Sequence, residues 1–207
     1  MTSQRTKHQV TAQHTEVKNS TASQDIYYSC TCEFPRLGAV TLYSHNNRLV
    51  GLTMPSQKYV LPAMNGKSKQ PSLNELSHTE GLQRPEFKAG FEWLTAYING
   101  ERPDTLPPFE LEGTEFRKKV WRHLLTIPYG KLTTYGDIAK AVYNSSDIRG
   151  IQARAVGGAV GHNPLPIMIP CHRVVGSQKQ LTGYTGGLDV KKTLLAMEGV
   201  DLTEYKD

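Results

Sequence analysis

The chain has 207 residues, of which 38% are hydrophobic and 21% are charged, a composition typical of a soluble globular protein with one large domain or two small ones. No apolar run approaches the roughly 18 residues that a membrane helix requires, and the N-terminus lacks the apolar segment of a secretory signal. Three cysteines, an odd and small number, argue against a disulfide framework and for a reducing compartment.

The formal net charge of +5 lies in the C-terminal half. Residues 1–112 contain 11 basic and 11 acidic side chains, whereas residues 113–207 contain 13 and 8. A basic half is compatible with a polyanionic partner, although a solvated surface often carries the same excess charge.

Residues 1–25 are rich in Ser, Thr, Gln and Lys and poor in apolar side chains, which predicts a disordered tail. Alternating patterns then predict strands at Ile26–Cys32 and within Gly38–Thr53, where the turn signal Asn46–Asn47 indicates a hairpin. The two cysteines in YYSCTCEF lie two residues apart on one face of the first strand. No second pair of metal ligands lies nearby, so we interpret them as ordinary strand residues.

A loop, a helix and a linker follow. Met64–Gln83 is polar and contains Gly, Ser, Asn and Pro, which predicts a loop. Apolar side chains at helical spacing predict a helix over Pro85–Ile98. Three prolines in Arg102–Pro108 indicate an inter-domain linker. We therefore expect a small α+β domain with an antiparallel sheet over residues 26–101 and a linker over 102–112.

Residues 113–207 have a mainly helical pattern, with a first helix predicted over Thr114–Thr126. Thr134–Asp137 has the form of a capping box before a second helix. The polar turn Asn144–Asp147 separates that helix from a third, and two short helices joined by a tight turn indicate a helix-turn-helix. A last helix is predicted over Asp189–Met197.

The third of these helices, in QARAVGGAVG, consists almost wholly of Ala, Gly and Val. Each Gly costs about 1 kcal/mol relative to Ala in a helix, so the small side chains require a reason. Tight packing against a neighbouring element is one, and close approach to a ligand such as a DNA groove is another. Arg154 is the long side chain in the middle of this segment, and it is either a solvated residue or a probe inserted into a base stack.

The apolar run Ile167–Ile169 indicates a buried strand. Cys171 follows this run after Pro170, so a thiol and the imidazole of His172 lie side by side at the end of the expected strand. Adjacent side chains of a strand point to opposite faces, so a dyad requires a turn here or a bridging water. Glu198, at the end of the last helix, is a candidate to orient the imidazole, as in an activated Cys–His–carboxylate nucleophile. A buried, inert cysteine is the alternative.

The segment PCHRV at Pro170–Val174 resembles the active-site signature of the O6-alkylguanine-DNA alkyltransferases, also called methylated-DNA–protein-cysteine methyltransferases. The similarity extends from about Phe116 to Gly199 and includes TTYGDIA, ARAVGGAVGHNPLPIMIPCHRVVG, GYTGGLDVK and LLAMEG. The N-terminal half resembles the family only in outline, as a variable α+β domain ahead of the catalytic one.

The resemblance implies DNA repair by direct transfer of the alkyl group from guanine O6, with O4-alkylthymine left open as a second substrate. Cys171 would accept the alkyl group once, and no cofactor or metal would be needed. His172 would take the thiol proton through a water, with Glu198 holding the imidazole. Tyr135 would donate a proton toward guanine N3, and Asn163 corresponds to the family's hinge asparagine, which braces the cysteine.

The resemblance also implies how base and DNA are held. Main-chain groups of the cysteine, Val174 and Thr185 would contact the base edge, and Tyr184 would line the pocket beside Pro166. Arg154 would fill the gap left by a flipped nucleotide, and the third helix would enter the minor groove of double-stranded DNA. The residues expected to contact DNA are Thr134, Tyr135, Ala153, Arg154 and Gly157.

Some features set the chain apart from other members of that family. No Cys and His set matches the zinc site that some members carry in the N-terminal domain, and three cysteines exclude the four-cysteine domain of the adaptive-response members. Thr185 stands where many members carry Ser. We expect an intracellular monomer, located in the cytoplasm if bacterial and in the nucleus if eukaryotic.

Two other functions compete with repair. A non-catalytic helix-turn-helix protein that senses damage or regulates transcription would use the same DNA-binding helices without alkyl transfer. A cysteine hydrolase would need an oxyanion hole, which the sequence does not reveal.

Overall fold

The computed structural model describes residues 26–55, 57 and 72–206. The predicted tail and the beginning of the predicted loop lie outside the described residues. Among these residues, the N-terminal part contains four strands and two helices: β1 (Ile26–Phe34), β2 (Gly38–His45), β3 (Arg48–Thr53), β4 (Ser72–Leu76), α1 (His78–Leu82) and α2 (Pro85–Ile98). The predicted α+β class is confirmed.

The predicted hairpin is formed by β2 and β3, which pair antiparallel. Asn46 and Asn47 connect them with φ values of 49° and 57°. Asn tolerates this left-handed conformation better than most residues. Two such residues in succession make a turn whose twist matches that of the flanking strands.

The sheet, in the order β3-β2-β1-β4, is mixed rather than wholly antiparallel as predicted. β1 pairs antiparallel with β2 but parallel with β4. Both β4 and α1 also lie within the segment predicted to be a loop, so that prediction is wrong for residues 72–82. β4 has a mostly exposed, polar sequence. The helix α1 has 5 residues, and the Ser77 capping box stabilises its N-terminus. Neither has the apolar periodicity from which a strand or helix is predicted.

α2 has the predicted bounds and packs on the sheet. It begins with a proline in its first turn, a position where the missing N–H costs nothing. Phe87, Phe91 and Leu94 are buried on its inner face. Gly90 lies on the same face, and a Cβ there would come within 2.7 Å of Leu42 Cδ1. This close approach fixes the helix against β2 and β3.

The C-terminal part is mainly helical, as predicted. Its elements are α3 (Glu115–Leu124), β5 (Thr133–Thr134), α4 (Tyr135–Tyr143), α5 (Gly150–Gly161), a 3-10 turn (Cys171–Arg173), β6 (Val174–Val175), a second 3-10 turn (Ser177–Lys179) and α6 (Leu188–Met197). α4 and α5 pack against each other as the predicted helix-turn-helix. Within the described ranges, no helix combines the length and apolarity needed to cross a membrane.

One apolar core runs through both parts of the chain. The outer strand β3 is also hydrogen-bonded to segments beyond the helix α2. Leu49 N–H donates to Pro108 O at 2.9 Å, and Leu49 O accepts from Glu110 N at 2.8 Å. Leu52 N–H donates to Pro164 O at 2.8 Å. The division into domains and linker remains a proposal, but the N-terminal sheet directly supports the segment that leads to Cys171.

Candidate active site

The chain turns at Cys171 instead of continuing as a strand. Ile167 has a φ of 74°, and Pro166 and Ile169 form an isolated bridge, so the apolar run folds back on itself. Cys171–Arg173 then form a turn of 3-10 helix. The prediction of a buried strand was therefore correct about burial and wrong about conformation, because apolarity reports burial whereas the prolines restrict the backbone.

Asn163 holds this turn together. Its side chain is 2% exposed. The amide Nδ2 donates to Ile169 O at 2.7 Å and to Cys171 Sγ at 2.9 Å, while Oδ1 accepts from Leu165 N at 3.1 Å. One side chain therefore satisfies two buried main-chain groups and contacts the sulfur directly.

The Cys171 thiol is 4% exposed. Burial raises its pKa to about 11, although the hydrogen bond from Asn163 and the charge of Lys191 act in the opposite direction. At neutral pH the sulfur is therefore protonated and weakly nucleophilic, because the thiolate is the reactive form. A reaction at this cysteine requires a base that removes the proton.

His172 is fully buried, and its Nε2 lies 2.8 Å from Glu198 Oε1. Burial lowers the pKa of the imidazole, while the hydrogen bond and charge of Glu198 oppose that shift. A neutral imidazole that donates Nε2–H to the carboxylate has its lone pair on Nδ1. Nδ1 is buried and makes no hydrogen bond with a described residue. Nδ1 is therefore the basic nitrogen of the ring.

Glu198 follows the last residue of α6 and collects donors from several segments. Oε1 accepts from Tyr97 Oη at 2.6 Å, from His172 Nε2 at 2.8 Å and from Arg173 at 2.8 and 3.1 Å. Oε2 accepts from Arg173 Nε and from Gly130 N–H, both at 2.9 Å. Burial would raise the pKa of this carboxyl, but the bonds from His172 and Arg173 hold it well below its usual range. Glu198 is therefore a carboxylate.

A cavity of about 270 Å³ adjoins the cysteine. The predicted residues Cys171, Tyr135, Tyr184 and Thr185 all line it, together with Gly157, Gly183, Val160 and Gly161. Two other predicted substrate contacts are not among its lining residues. Pro166 is buried in the turn ahead of Cys171, and the carbonyl of Val174 accepts a hydrogen bond from Lys191 Nζ at 2.6 Å.

Tyr135 is the first residue of α4 and lines this cavity. The preceding residue, Thr134, caps the helix by accepting from Asp137 N–H at 3.1 Å, so the predicted cap is present. Thr182 Oγ1 donates to Tyr135 Oη at 3.2 Å. Burial raises the pKa of this phenol, opposed by the Thr182 hydrogen bond. The phenol thus keeps its proton at neutral pH and has that proton available for a ligand.

A second cavity, of about 520 Å³, lies along the outer side of α4 and α5. Thr134, Ala153 and Arg154 line it, and Tyr135 and Gly157 line both this groove and the cysteine cavity. All five predicted DNA contacts therefore line this groove, and two of them, Tyr135 and Gly157, also line the neighbouring cysteine cavity.

The small residues of α5 are explained only partly by packing inside the protein. A Cβ on Gly157 would make ordinary contact with the Tyr135 ring at 3.8 Å, and one on Gly158 or Gly161 would meet nothing within 4 Å. Arg154 and Gly158 are exposed. Of the two alternatives, close approach to an external ligand therefore fits this face of the helix better than internal packing does.

Sequence reasoning missed two buried side chains beside the site. Lys191 is 1% exposed, and its Nζ donates to Val174 O at 2.6 Å and Thr182 O at 3.0 Å. Burial lowers its pKa to about 8, opposed by Cys171. Its position three residues before the buried Leu194 was an available signal, since that spacing places both on one helix face. Tyr97 was likewise on the apolar face of α2.

Within residues 26–55, 57 and 72–206, no group of three or more His, Cys, Asp or Glu side chains is arranged to hold a metal. Cys30 and Cys171 are buried free thiols, and Cys32 is a partly exposed one. The absence of a zinc site remains a prediction.

Comparison with known proteins matches residues 115–200 to the model of the 6-O-methylguanine DNA methyltransferase, DNA binding domain. A methylated-DNA–protein-cysteine methyltransferase of Mycolicibacterium paratuberculosis is 41% identical over 162 residues, covering 78% of this chain and 87% of the relative. The methylated-DNA–protein-cysteine methyltransferase of Methanosarcina acetivorans is 46% identical over 113 residues, covering 55% of this chain and 69% of that protein.

Solved structures of methyltransferases that act on O6-methylguanine also resemble this chain. The crystal structure of Mycobacterium tuberculosis OGT in complex with DNA superimposes with a TM-score of 0.66 at 34% identity, covering 83% of this chain and 92% of that one. The O6-methylguanine-DNA methyltransferase of Pyrococcus kodakaraensis gives a TM-score of 0.53 at 27% identity, covering 83% and 99%. The buried cysteine, its His–Glu pair and these similarities together show that the chain belongs to the methylated-DNA–protein-cysteine methyltransferase family.

Proposed function

We propose that this protein repairs O6-alkylguanine in double-stranded DNA by transferring the alkyl group to Cys171. The observation that carries the proposal is the position of the thiol, which lines a cavity that shares Tyr135 and Gly157 with the groove beside α5. The relatives are named methylated-DNA–protein-cysteine methyltransferases, and one structurally similar protein was crystallised with DNA.

The first part of the reaction activates the sulfur. With the pKa of Cys171 at about 11, little thiolate exists at neutral pH. Nδ1 of His172 is the free basic nitrogen, because Nε2–H donates to the Glu198 carboxylate. The thiol proton passes through a water to Nδ1, and Glu198 stabilises the imidazolium that forms. Asn163 Nδ2–H stabilises the thiolate from 2.9 Å.

The second part transfers the alkyl group. The thiolate attacks the alkyl carbon, a C–S bond forms, and the bond from that carbon to guanine O6 breaks with its electron pair going to the base. Tyr135 donates a proton toward guanine N3 as this charge develops, and the phenolate then recovers a proton from solvent. The His172 imidazolium releases the former thiol proton to solvent, so the proton lost by the thiol is balanced by the one gained by guanine.

The lesion must leave the base stack to reach the sulfur, because the cysteine lies inside a cavity. Extruding a nucleotide costs a few kcal/mol, and less when the base pairs poorly. Arg154 is exposed on α5 at the edge of the groove, in a position to fill the gap left in the duplex. Gly158 has no side chain to keep α5 away from DNA, so this face of the helix can approach the narrow minor groove closely.

The product is a thioether, which is chemically stable, so each chain acts once. We propose that one protein monomer acts on one lesion, in whichever compartment holds the DNA. Incubation with a duplex containing O4-alkylthymine, followed by mass spectrometry of the protein, tests whether that base enters the same cavity.

The deciding experiment is mass spectrometry of the intact protein and its peptides after incubation with a duplex containing one O6-methylguanine. We expect one added CH2 unit per chain, on the peptide that contains Cys171. The peptides containing Cys30 and Cys32 are internal controls and remain unmodified. Cys171→Ala should bind the duplex and take up no methyl group, and methylation of that variant would overturn the assignment.

The damage-sensor alternative rests on the same exposed helix pair. It would be supported by an unmodified wild-type protein that still binds the lesion-containing duplex. Repeated turnover of substrate would contradict both functions.

A further inference from the structure

Tyr97 connects the N-terminal part of the chain to the His172–Glu198 pair. It lies near the end of α2, is 2% exposed, and donates its hydroxyl proton to Glu198 Oε1 at 2.6 Å. The same hydroxyl oxygen lies 3.3 Å from His172 Nε2. Its partners are 75 and 101 residues away in the sequence.

We propose that Tyr97 is a positioning residue for alkyl transfer, through which the N-terminal part of the chain holds the Glu198 carboxylate and sets the basicity of His172. The inference rests on the proposed function and deepens it. Residues 26–101 would then contribute directly to the chemistry of a cysteine that lies in the C-terminal part.

The geometry gives Tyr97 a defined effect. The carboxylate oxygen Oε1 accepts both the Tyr97 hydroxyl and the His172 Nε2–H. A short hydrogen bond to a carboxylate draws charge from it and fixes its rotation. With less charge on Oε1, the imidazolium is less stabilised, so neutral His172 persists to lower pH. With Oε1 fixed, the imidazole keeps the Nε2–H tautomer that leaves Nδ1 basic.

Other groups facing His172 do not duplicate this contact. Glu198 stabilises the charged ring, whereas Arg173 and Lys191 disfavour it, and Cys171 is the neighbouring thiol. Tyr184 packs edge-on with its ring centroid 6.4 Å away. Arg173 also binds Glu198, but it does so through both carboxylate oxygens and is anchored to Ile127 O. Tyr97 is the described hydroxyl that approaches both the carboxylate and the imidazole.

The test compares Tyr97→Phe with the matched control Tyr27→Phe. Both tyrosines are 2% exposed, and each donates its hydroxyl to a carboxylate. Tyr27 donates to Glu112 Oε1 at 3.0 Å, outside the His172–Glu198 pair. The single-turnover rate constant for methyl transfer from an O6-methylguanine duplex is measured from pH 5 to 9 for the wild type and both variants. The unfolding midpoint of each is recorded alongside.

We expect Tyr97→Phe to slow transfer on the pH plateau by roughly tenfold, because a Glu198 carboxylate that is free to rotate no longer holds the imidazole in the orientation and tautomer that leave Nδ1 basic, and this loss of positioning outweighs the rise in basicity of the ring. The acidic limb of its pH–rate profile should move to higher pH, because Glu198 without the Tyr97 hydrogen bond has more charge on Oε1 and favours the His172 imidazolium. NMR titration of the His172 ring nitrogens should show the same upward shift. Tyr27→Phe should retain the wild-type rate and profile even if it loses as much stability.

The inference is overturned if Tyr97→Phe and Tyr27→Phe have the same rate constants and acidic limbs. A lower unfolding midpoint with an unchanged pH profile would likewise reduce Tyr97 to a structural contact. Failure of the wild type to accept a methyl group is a separate result, which would count against the proposed function itself.

Discussion

Replacing Asn163 with alanine tests whether the turn at Cys171 is held by one side chain. The substitution removes the acceptor of Leu165 N–H and the donors to Ile169 O and Cys171 Sγ. Leu165 N–H is then left without its acceptor in a buried turn, whereas Ile169 O keeps the hydrogen bond from Cys171 N–H at 2.7 Å. An unsatisfied buried donor costs about 1–3 kcal/mol, the lost bonds to Ile169 O and to the sulfur add to that cost, and partial relaxation of the turn reduces the sum. We therefore expect Asn163→Ala to lower the free energy of unfolding by about 3 kcal/mol.

For a protein of this size, a loss of that magnitude corresponds to a fall in Tm of roughly 6–12 °C. Urea denaturation followed by circular dichroism measures the free energy directly. Asn74→Ala is the control, because Asn74 is exposed on β4 and its loss should change stability by less than about 0.5 kcal/mol. A loss below about 1 kcal/mol for Asn163→Ala would refute the assignment of these buried hydrogen bonds as the support of the turn.

The same variant also tests the sulfur contact. Without Nδ2–H at 2.9 Å, the Cys171 thiolate loses a stabilising donor and the thiol becomes harder to ionise. Measured under conditions where the variant remains folded, methyl transfer should slow by roughly tenfold to a hundredfold. An unchanged rate would show that the Asn163–sulfur contact has no part in activation.

Three further predictions concern DNA, pH and stability. Arg154→Ala should slow repair in duplex DNA by at least about tenfold but leave reaction with free O6-benzylguanine nearly unchanged; equal losses would contradict the role in the duplex. The transfer rate of the wild type should not rise between pH 7 and 9, because the pKa of Cys171 lies at about 11, His172 is already neutral, and the loss of the Lys191 charge around its pKa of about 8 disfavours the thiolate; a tenfold rise per pH unit would indicate a simple unassisted thiolate. The pKa of Glu198 is lowered from 4.5 on folding, so its carboxylate stabilises the fold above that pH and this contribution is lost as the pH falls below it. Glu198→Gln should therefore flatten the acid side of the stability–pH curve relative to the exposed control Glu92→Gln, and parallel curves would argue against a lowered Glu198 pKa.

The C-terminal half could be predicted in unusual detail from its sequence. Helix periodicity and the Thr134 cap indicate local structure, because both depend on residues three or four positions apart. The Ala, Gly and Val composition of α5 likewise indicates close approach, since small side chains are a property of the residues themselves. Cys171 and His172 are adjacent, Glu198 lies 26 residues after His172 at the end of the last helix, and the residue types alone suggested an activated thiol.

The N-terminal half was less predictable for physical reasons. β4 is a short, mostly exposed strand, and its parallel pairing with β1 depends on tertiary packing rather than on apolar alternation. Whether the chain turns at Cys171 stayed open in the sequence analysis, because apolarity reports burial but does not distinguish a strand from a folded turn.

Local signals along the chain predicted the C-terminal helices, helix α2, the hairpin, the basic half and the reactive residue types around Cys171. Which distant groups meet these features depends on the tertiary fold. Tyr97 reaches Glu198 across 101 residues and Lys191 reaches Val174 O across 17. Such contacts follow from how the sheet and helices pack, and spacing along the chain reports only the faces of single elements. Packing therefore sets the burial that keeps the Cys171 thiol protonated and the hydrogen bond that leaves Nδ1 of His172 free to accept a proton.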